Sequence, residues 1–120
     1  MDSEATIQDL MDSLPAFFLA DKAAGIRAVV QFALSGEDGG EWTVRIAEQS
    51  CQVTKGKVES ADLLFQASAR DVLDIFYDRL EPMSAYMQGK LRLSGNFGLA
   101  LKLFGLFEVD SEEMRRLRNK

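Results

Sequence analysis

The segment Ala85-Tyr86-Met87-Gln88-Gly89-Lys90-Leu91-Arg92-Leu93-Ser94-Gly95-Asn96 decides much of the fold of this chain. It contains an amphipathic strand between two glycines, and it leads into residues 97–107, in which only Lys102 is charged. A helix that is apolar on most of its faces must be buried or must line a cavity. The segment therefore predicts a protein that encloses something hydrophobic.

Upstream of this segment, the hydrophobic pattern changes several times to a period of two, which is typical of strands. A glycine-rich turn at residues 35–40 separates the first two strands, so that a hairpin is expected there. The predicted strands cover residues 26–34, 42–47, 51–53, 61–67 and 90–94.

Helical spacing appears before, between and after these strands. Thr6 to Asp9 resembles a capping box, and Pro15 should end or kink the first helix, leaving Phe17 to Leu19 as a short helix or cap. Further helices are predicted after Ser68, from Pro82 to the stop at Gly89, after Asn96 through Phe107, and from Ser111 through Leu117.

The order of these elements predicts one α+β domain over residues 1–120, with a five-stranded, mainly antiparallel sheet and helices packed on one face. The 120 residues can bury a core without disulfides or metals. We find no internal repeat and no low-complexity linker.

Composition excludes several functions. The chain has no histidine, which removes the usual catalytic triads and imidazole metal ligands, so we expect no catalytic residues, no metal site and no cofactor. A net charge of −5 argues against nucleic acid as a partner. The acidic start without lysine or arginine is unlike a secretory leader, and we expect a cytoplasmic protein in which Cys51 is a buried packing thiol.

The ordered motifs resemble the sterol carrier protein type-two (SCP-2) lipid-binding domain across almost the whole chain. The resemblance rests on Phe32 to Gly36, Gly40 to Val44, Ala61-Asp62, Ser68 to Asp71, Ala85 to Asn96 and Ala100 to Leu103.

The resemblance implies a hydrophobic tunnel between sheet and helices that accepts sterols, fatty acids, acyl-CoA thioesters or phospholipids. The sequence ends in Arg118-Asn119-Lys120 instead of a peroxisomal Ser-Lys-Leu signal, so peroxisomal import is not expected. The 120 residues also contain no fused thiolase, dehydrogenase or sulfatase domain, and we therefore expect a stand-alone, prokaryotic-like member. For such a member an acyl lipid or isoprenoid is favoured over a sterol. Helix movement between Pro82 and Gly89, or at the C-terminus, would open the tunnel.

Large side chains on the predicted helices are the candidates for the lipid cavity, although the same spacing is typical of ordinary core. They are Phe76, Tyr77, Met83, Tyr86, Met87, Leu99, Leu103, Phe104 and Phe107.

Three functions compete at this point. A lipid carrier or presenter leads, an enzyme is disfavoured by the absent histidine, and a pocketless interaction module would keep the fold without a ligand. For the carrier we expect a lipid ligand, at most transient contact with a membrane surface, and a monomer or weak homodimer.

Overall fold

The computed structural model describes residues 6–77 and 79–108. They form a five-stranded sheet and four α-helices, with short 3-10 turns at Ala20–Ala23 and Phe104–Leu106. In chain order the elements are α1 (Ile7–Phe17), β1 (Ala28–Ser35), β2 (Gly40–Ala47), β3 (Ser50–Lys55), β4 (Leu63–Ser68), α2 (Ala69–Phe76), α3 (Pro82–Met87), β5 (Leu91–Gly95) and α4 (Phe97–Leu103).

The sheet has the strand order β3-β2-β1-β4-β5. Strands β1 and β2 pair as an antiparallel hairpin in which Phe32 lies opposite Trp42. The central pair β1–β4 is parallel, with Phe32 beside Phe65, and the other neighbouring pairs are antiparallel. The predicted α+β class and the five-stranded, mainly antiparallel sheet are confirmed.

The helices cover the face of the sheet that carries Phe32, Trp42 and Phe65, all of which are fully buried. Alternation along each strand places these residues on one side, as the period of two predicts. The rings of Phe32 and Phe65 lie 4.7 Å apart and form the centre of the core. Cys51 lies on β3 and packs half-buried against this core, so the predicted packing thiol is less enclosed than expected.

The chain crosses the opposite face of the sheet between β3 and β4. In this crossing the Val58 N–H donates to Gln31 Oε1 at 2.7 Å, and Thr43 Oγ1 donates to the Gly56 carbonyl at 3.0 Å. Gln31 and Thr43 are therefore buried, with exposed fractions of 4% and 3%. The crossing leads from the edge strand β3 over the sheet to the side of β1 that is not paired with β2. There β4 runs parallel to β1.

Helix α1 begins with the predicted capping box. Thr6 Oγ1 accepts from the Asp9 N–H at 3.2 Å, and an Asp9 carboxylate oxygen accepts from the Thr6 N–H at 2.9 Å. Pro15 does not end the helix at once, since α1 continues to Phe17. A proline this close to the end of a helix removes one backbone hydrogen bond and leaves the earlier turns intact.

The predicted helix over residues 97–107 is wrong beyond Leu103, where a 3-10 turn follows α4. The chain then extends so that Phe107 pairs with Phe18 in an antiparallel bridge. The Leu19 N–H donates to the Leu106 carbonyl at 2.7 Å, and the Glu108 N–H donates to the Phe17 carbonyl at 2.9 Å. Pairing of these backbone groups replaces the helix, and it also replaces the short helix or cap predicted at Phe17 to Leu19.

The helix predicted from Ser111 through Leu117 lies outside the described residues. Within the part of the chain that the structure describes, none of the helices is both long and apolar enough to cross a membrane.

Candidate functional site

Helix α3 is set at the edge of the sheet by signals at both of its ends. Pro82 occupies the first turn, where a missing N–H costs nothing, and Glu81 precedes it as the extended N-cap residue. Ser84 Oγ donates to Glu81 Oε1 at 2.9 Å. After the helix, Gly89 adopts a φ of +78°, a left-handed conformation that favours glycine, and turns the chain into β5.

Helix α4 is fixed to the start of β4 through Asp62. The Asp62 carbonyl accepts from the Asn96 N–H at 2.9 Å, and the Asp62 carboxylate accepts from the Val29 N–H at 2.8 Å. Asn96 then caps the helix as predicted, because its Oδ1 accepts from the Leu99 N–H at 3.0 Å. Asp62 thus connects β1, β4 and the beginning of α4.

Gly95 allows the end of β5 to approach the Asp62 backbone closely. It has a φ of +110°, and a Cβ atom at this position would collide with the carbonyl oxygen of Asp62. No other residue type would fit here without a shift of the backbone. Gly95 therefore sets the distance between the last residue of β5 and the start of β4.

A pocket of about 360 Å³ lies between α3, β5 and α4. This volume falls within the range of small-molecule binding pockets. Its lining is dominated by apolar side chains and contains one charged residue. The lining residues are Glu81, Pro82, Met83, Tyr86, Leu91, Leu93, Phe97, Ala100, Leu101 and Phe104.

A second pocket of about 390 Å³ adjoins the first, and the two have Pro82 and Phe104 in common. Its lining is Ile75, Phe76, Pro82, Phe104, Gly105, Phe107 and Glu108. These two pockets are separated at Phe104, and within the described residues the continuous tunnel that the resemblance implies is not seen as a single cavity. A further pocket, of about 420 Å³, shares no lining residue with them and is lined by Ala33, Ser35, Gln66, Ala67, Ser68, Asp71, Gly89, Lys90 and Arg92.

The chemistry of the first pocket suits an alkyl chain. Each methylene that leaves water for an apolar lining contributes about 0.8 kcal/mol, so a chain can be held with few polar contacts. The charged lining residue, Glu81, already accepts a hydrogen bond from Ser84. Across residues 6–77 and 79–108, no cluster of acids and cysteine is suited to bind a metal ion.

The structure brings five of the nine predicted cavity residues to these pockets. Met83, Tyr86 and Phe104 line the first, while Phe76, Phe104 and Phe107 line the second.

The other four predicted residues lie elsewhere. Leu99 and Leu103 are buried in the core, with exposed fractions of 7% and 1%. The Arg79 guanidinium lies over the half-buried Tyr77 ring at 5.0 Å. Met87 points outward and is 78% exposed. Helical spacing alone did not separate these residues from the pocket lining.

Sequence reasoning missed several lining residues that carried a usable signal. Leu91 and Leu93 alternate with Arg92 in β5, so their shared face could have been assigned to the cavity. Phe97 and Leu101 lie four positions apart and therefore share a face of α4. Glu81 and Pro82 gave no signal of a cavity beyond their place at the start of a helix.

The comparisons with known proteins agree with this architecture. Residues 11–108 match the family model described as the SCP-2 sterol transfer family. A protein of Bos taurus named hydroxysteroid dehydrogenase-like protein 2 is 37% identical over 101 residues, which cover 83% of this chain and 23% of that protein. The chain thus spans less than a quarter of the length of such curated relatives.

Solved structures show the same fold. The solution structure of palmitated SCP2L2 from Aedes aegypti has a TM-score of 0.67 at 24% identity, over 88% of this chain and 97% of that one. The sec-alkylsulfatase Pisa1 from Pseudomonas sp. has a TM-score of 0.75 at 21% identity, over 85% of this chain and 16% of that one. In the second case the shared fold is a small part of a much larger protein.

Proposed function

Because this chain belongs to the SCP-2 sterol transfer family, we propose that it binds a lipid in the two pockets around Phe104 and carries or presents that lipid without catalysing a reaction. The observation that carries the proposal is the apolar pocket of about 360 Å³ between α3, β5 and α4. Lipid binding or transfer is the class of function that the family supports, while the ligand and the path through the protein are our proposals.

We propose a flexible acyl or isoprenoid chain as the ligand in preference to a sterol. The two pockets meet at Pro82 and Phe104, so a ligand that uses both must bend around the Phe104 ring. A chain with many rotatable bonds can adopt such a path, whereas a rigid fused-ring system cannot. The polar head would lie at the exposed edge of the first pocket, because the interior offers few polar partners.

Catalysis in the larger relatives does not transfer to this chain by similarity. The matched region is 23% of the bovine protein and 16% of the sulfatase chain. Our proposal therefore concerns the SCP-2 domain itself. The cytoplasmic location and the monomeric or weakly dimeric state stay predictions.

The first experiment is native mass spectrometry of the freshly purified protein, followed by organic extraction and identification of any retained lipid. A stoichiometric lipid would support the carrier and give its chemical class. If the protein is empty and also fails to bind fatty acid, acyl-CoA and isoprenoid probes, the function of a pocketless interaction module is better supported than that of a carrier.

A pair of matched variants tests whether the ligand occupies the first pocket. Ala100 lines this pocket and is 8% exposed, so Ala100→Phe should fill it and weaken the binding of a fluorescent fatty acid by about tenfold or more. Ala33 alternates with Phe32 and Leu34 and lies on the opposite face of the sheet, so Ala33→Phe is the control. Equal affinities of the two variants would place the ligand elsewhere.

A further inference from the structure

The charged side chains in the linings of the first and second pockets are acids. The first pocket contains Glu81 and the second contains Glu108. Among the residues that the structure describes, neither lining includes a lysine or an arginine. Both glutamates are exposed, so their carboxylates lie on the solvent side of the pockets. A lipid head at either opening would meet a negative charge and no cation of the described lining.

The cations closest to the first pocket along the chain face away from it. Lys90 and Arg92 line the further pocket of about 420 Å³, on the opposite face of the sheet. On α4, Phe97 and Ala100 line the first pocket. At 3.6 residues per turn, Lys102 lies on the other side of this helix. None of these three cations is therefore placed to neutralise a negatively charged head in the first pocket.

The start of α3 offers little to an anion. Helix starts bind anions through unpaired backbone N–H groups. Pro82 is the first residue of α3 and has no N–H, and the Ala85 N–H already donates to the Glu81 carbonyl at 2.9 Å. The Glu81 carboxylate precedes this end of the helix and adds repulsion to any anion there.

The polar groups of the first pocket instead suit a head that can donate a hydrogen bond. Glu81 Oε1 accepts from Ser84 Oγ at 2.9 Å. A carboxylate has two oxygens with about four acceptor positions, so Glu81 can accept a further hydrogen bond. Tyr86 also lines the pocket, and its phenol can accept or donate. An alcohol or amine head has a proton to donate to Glu81, whereas an ionised carboxyl head has none.

We propose that the first pocket selects a lipid whose head donates a hydrogen bond and carries no negative charge, as a long-chain alcohol or amine does, and that Glu81 is the residue that selects it. The inference rests on the proposed lipid-binding function, since it concerns the head of the lipid held in the same pocket. A fatty acid still binds through its chain, but Glu81 repels its carboxylate.

The test uses three probes with the same twelve-carbon chain, namely dodecanol, dodecylamine and dodecanoic acid. Each is titrated against the full chain loaded with Nile red, a neutral dye, at about pH 8, where the acid is ionised and the amine is protonated. An uncharged alcohol enters any apolar pocket more readily than an ion does. The readout is therefore the change in each affinity between the unchanged chain and Glu81→Gln.

Glu81→Gln removes the charge and keeps an Oε1 acceptor for Ser84. We expect it to tighten dodecanoic acid by about threefold and to weaken dodecylamine by about threefold, which is typical of charge pairs at exposed sites. Dodecanol should weaken by less than about twofold, and the affinity for Nile red should not change. A loss of affinity for Nile red and all three probes would indicate a purely structural role of Glu81 and overturn the inference.

Salt provides a second readout. In the unchanged chain, the affinity for dodecanoic acid relative to dodecanol should rise as salt increases, because salt screens the repulsion by Glu81. In Glu81→Gln the same ratio should stay constant. A ratio that responds to salt equally in both proteins would contradict selection by Glu81.

The matched control is Glu59→Gln. Glu59 is an exposed residue of the crossing between β3 and β4, on the face of the sheet opposite the pocket, and its removal changes the net charge by the same amount. We expect its three affinities to stay within about 1.5-fold of those of the unchanged chain. Equal shifts in Glu59→Gln and Glu81→Gln would overturn the inference and indicate a general charge effect. A shift in Glu108→Gln without one in Glu81→Gln would place the head at the second pocket and also overturn it.

The same titrations separate this inference from the carrier function. If the probes displace Nile red and Glu81→Gln changes none of their affinities, Glu81 does not select the head and the carrier function stands. If neither Nile red nor any probe binds the unchanged chain, both proposals are overturned. Of the two heads that the inference allows, the probe with the tighter binding identifies the alcohol or the amine as the better ligand.

Discussion

The rings of Phe76 and Phe104 lie 5.3 Å apart with an interplanar angle of 58°. Phe104 also contacts Phe65 on the sheet, at 5.6 Å between ring centroids. It is thus held between a helix and the centre of the sheet, and it lines both pockets. Its ring forms part of the wall between the two cavities.

Removal of this ring should merge the two pockets. We expect Phe104→Ala to raise the preference for a long-chain over a medium-chain fatty acid by about tenfold, because further methylenes become buried at about 0.8 kcal/mol each. The variant should lose about 3 kcal/mol of unfolding free energy, since Phe104 is only partly buried. Competition titrations with fatty acids of different length measure the preference.

The control for this prediction is Phe18→Ala. Phe18 is another partly buried ring, packed on Phe107 at 5.5 Å, and it lines neither pocket. It should lose stability without a change in chain-length preference. The same preference in both variants would mean that Phe104 does not separate the cavities.

Bound lipid should protect the backbone of α3 from hydrogen exchange. This short helix depends on few bonds, such as that from the Ala85 N–H to the Glu81 carbonyl at 2.9 Å, and Gly89 follows it in a left-handed conformation. We expect exchange over residues 82–89 to slow by about tenfold with a fatty acid bound, whereas exchange in α1 stays unchanged. Unaltered exchange at 82–89 in a lipid-saturated sample would contradict an opening movement at this helix.

The Gln31 network should matter for stability and not for lipid binding. Gln31 Oε1 accepts from the Val58 N–H at 2.7 Å, and Gln31 Nε2 donates to the Trp42 carbonyl at 3.2 Å. Gln31→Leu leaves a backbone N–H without its acceptor and should cost about 2 kcal/mol of unfolding free energy. Urea unfolding followed by the fluorescence of Trp42, the single tryptophan, measures the loss.

Gln66→Leu is the control, since Gln66 is an exposed glutamine on the same outward face of the sheet. It should change the unfolding free energy by less than about 0.5 kcal/mol. Similar losses in both variants would show that the network around Gln31 is not what stabilises the crossing between β3 and β4.

Burial raises the pKa of the Cys51 thiol from its ordinary value to about 11. The folded protein keeps the thiol proton at a pH where an unfolded chain loses it, so this group stabilises the fold below its unfolded pKa. That contribution is lost as the pH rises toward 11. Because the thiolate is the nucleophile, alkylation of Cys51 should be slow at about pH 8 and should rise only in more alkaline solution.

Mass spectrometry of iodoacetamide-treated protein follows this reaction. The matched control is Cys51→Ala/Ser50→Cys, which moves the thiol to the neighbouring exposed position. Its alkylation should reach half of the maximal rate at a lower pH. Coincident pH profiles for the two proteins would show that burial does not shift the Cys51 thiol.

Local signals in the sequence were sufficient for most elements of the fold. Side chains at Thr6, Ser68 and Asn96 start helices as predicted, because each accepts a hydrogen bond from a backbone N–H of the first turn. The strands follow from alternation, and Pro82 marks the start of α3. These features depend on neighbours within a few residues, which is why one sequence suffices to find them.

The sequence was less informative about what covers each face. The apolar stretch 97–107 predicted burial, yet Phe97 and Leu101 are exposed because α4 lies at the edge of the sheet and is covered on one side only. Met87 and Leu103 have the same apolar character and helical setting, but one is exposed and the other is buried. Periodicity identifies the residues that share a face and not the element that packs against it.

The sequence by itself determined the α+β class, the order of the strands and helices along the chain, and the lipid-binding family. Tertiary structure decided the parallel pairing of β1 with β4, the burial of Gln31 under the chain crossing, and the division of the cavity at Phe104. These features arise from contacts between residues far apart in the chain. Their energies depend on which surfaces meet, and local propensity does not specify which surfaces these are.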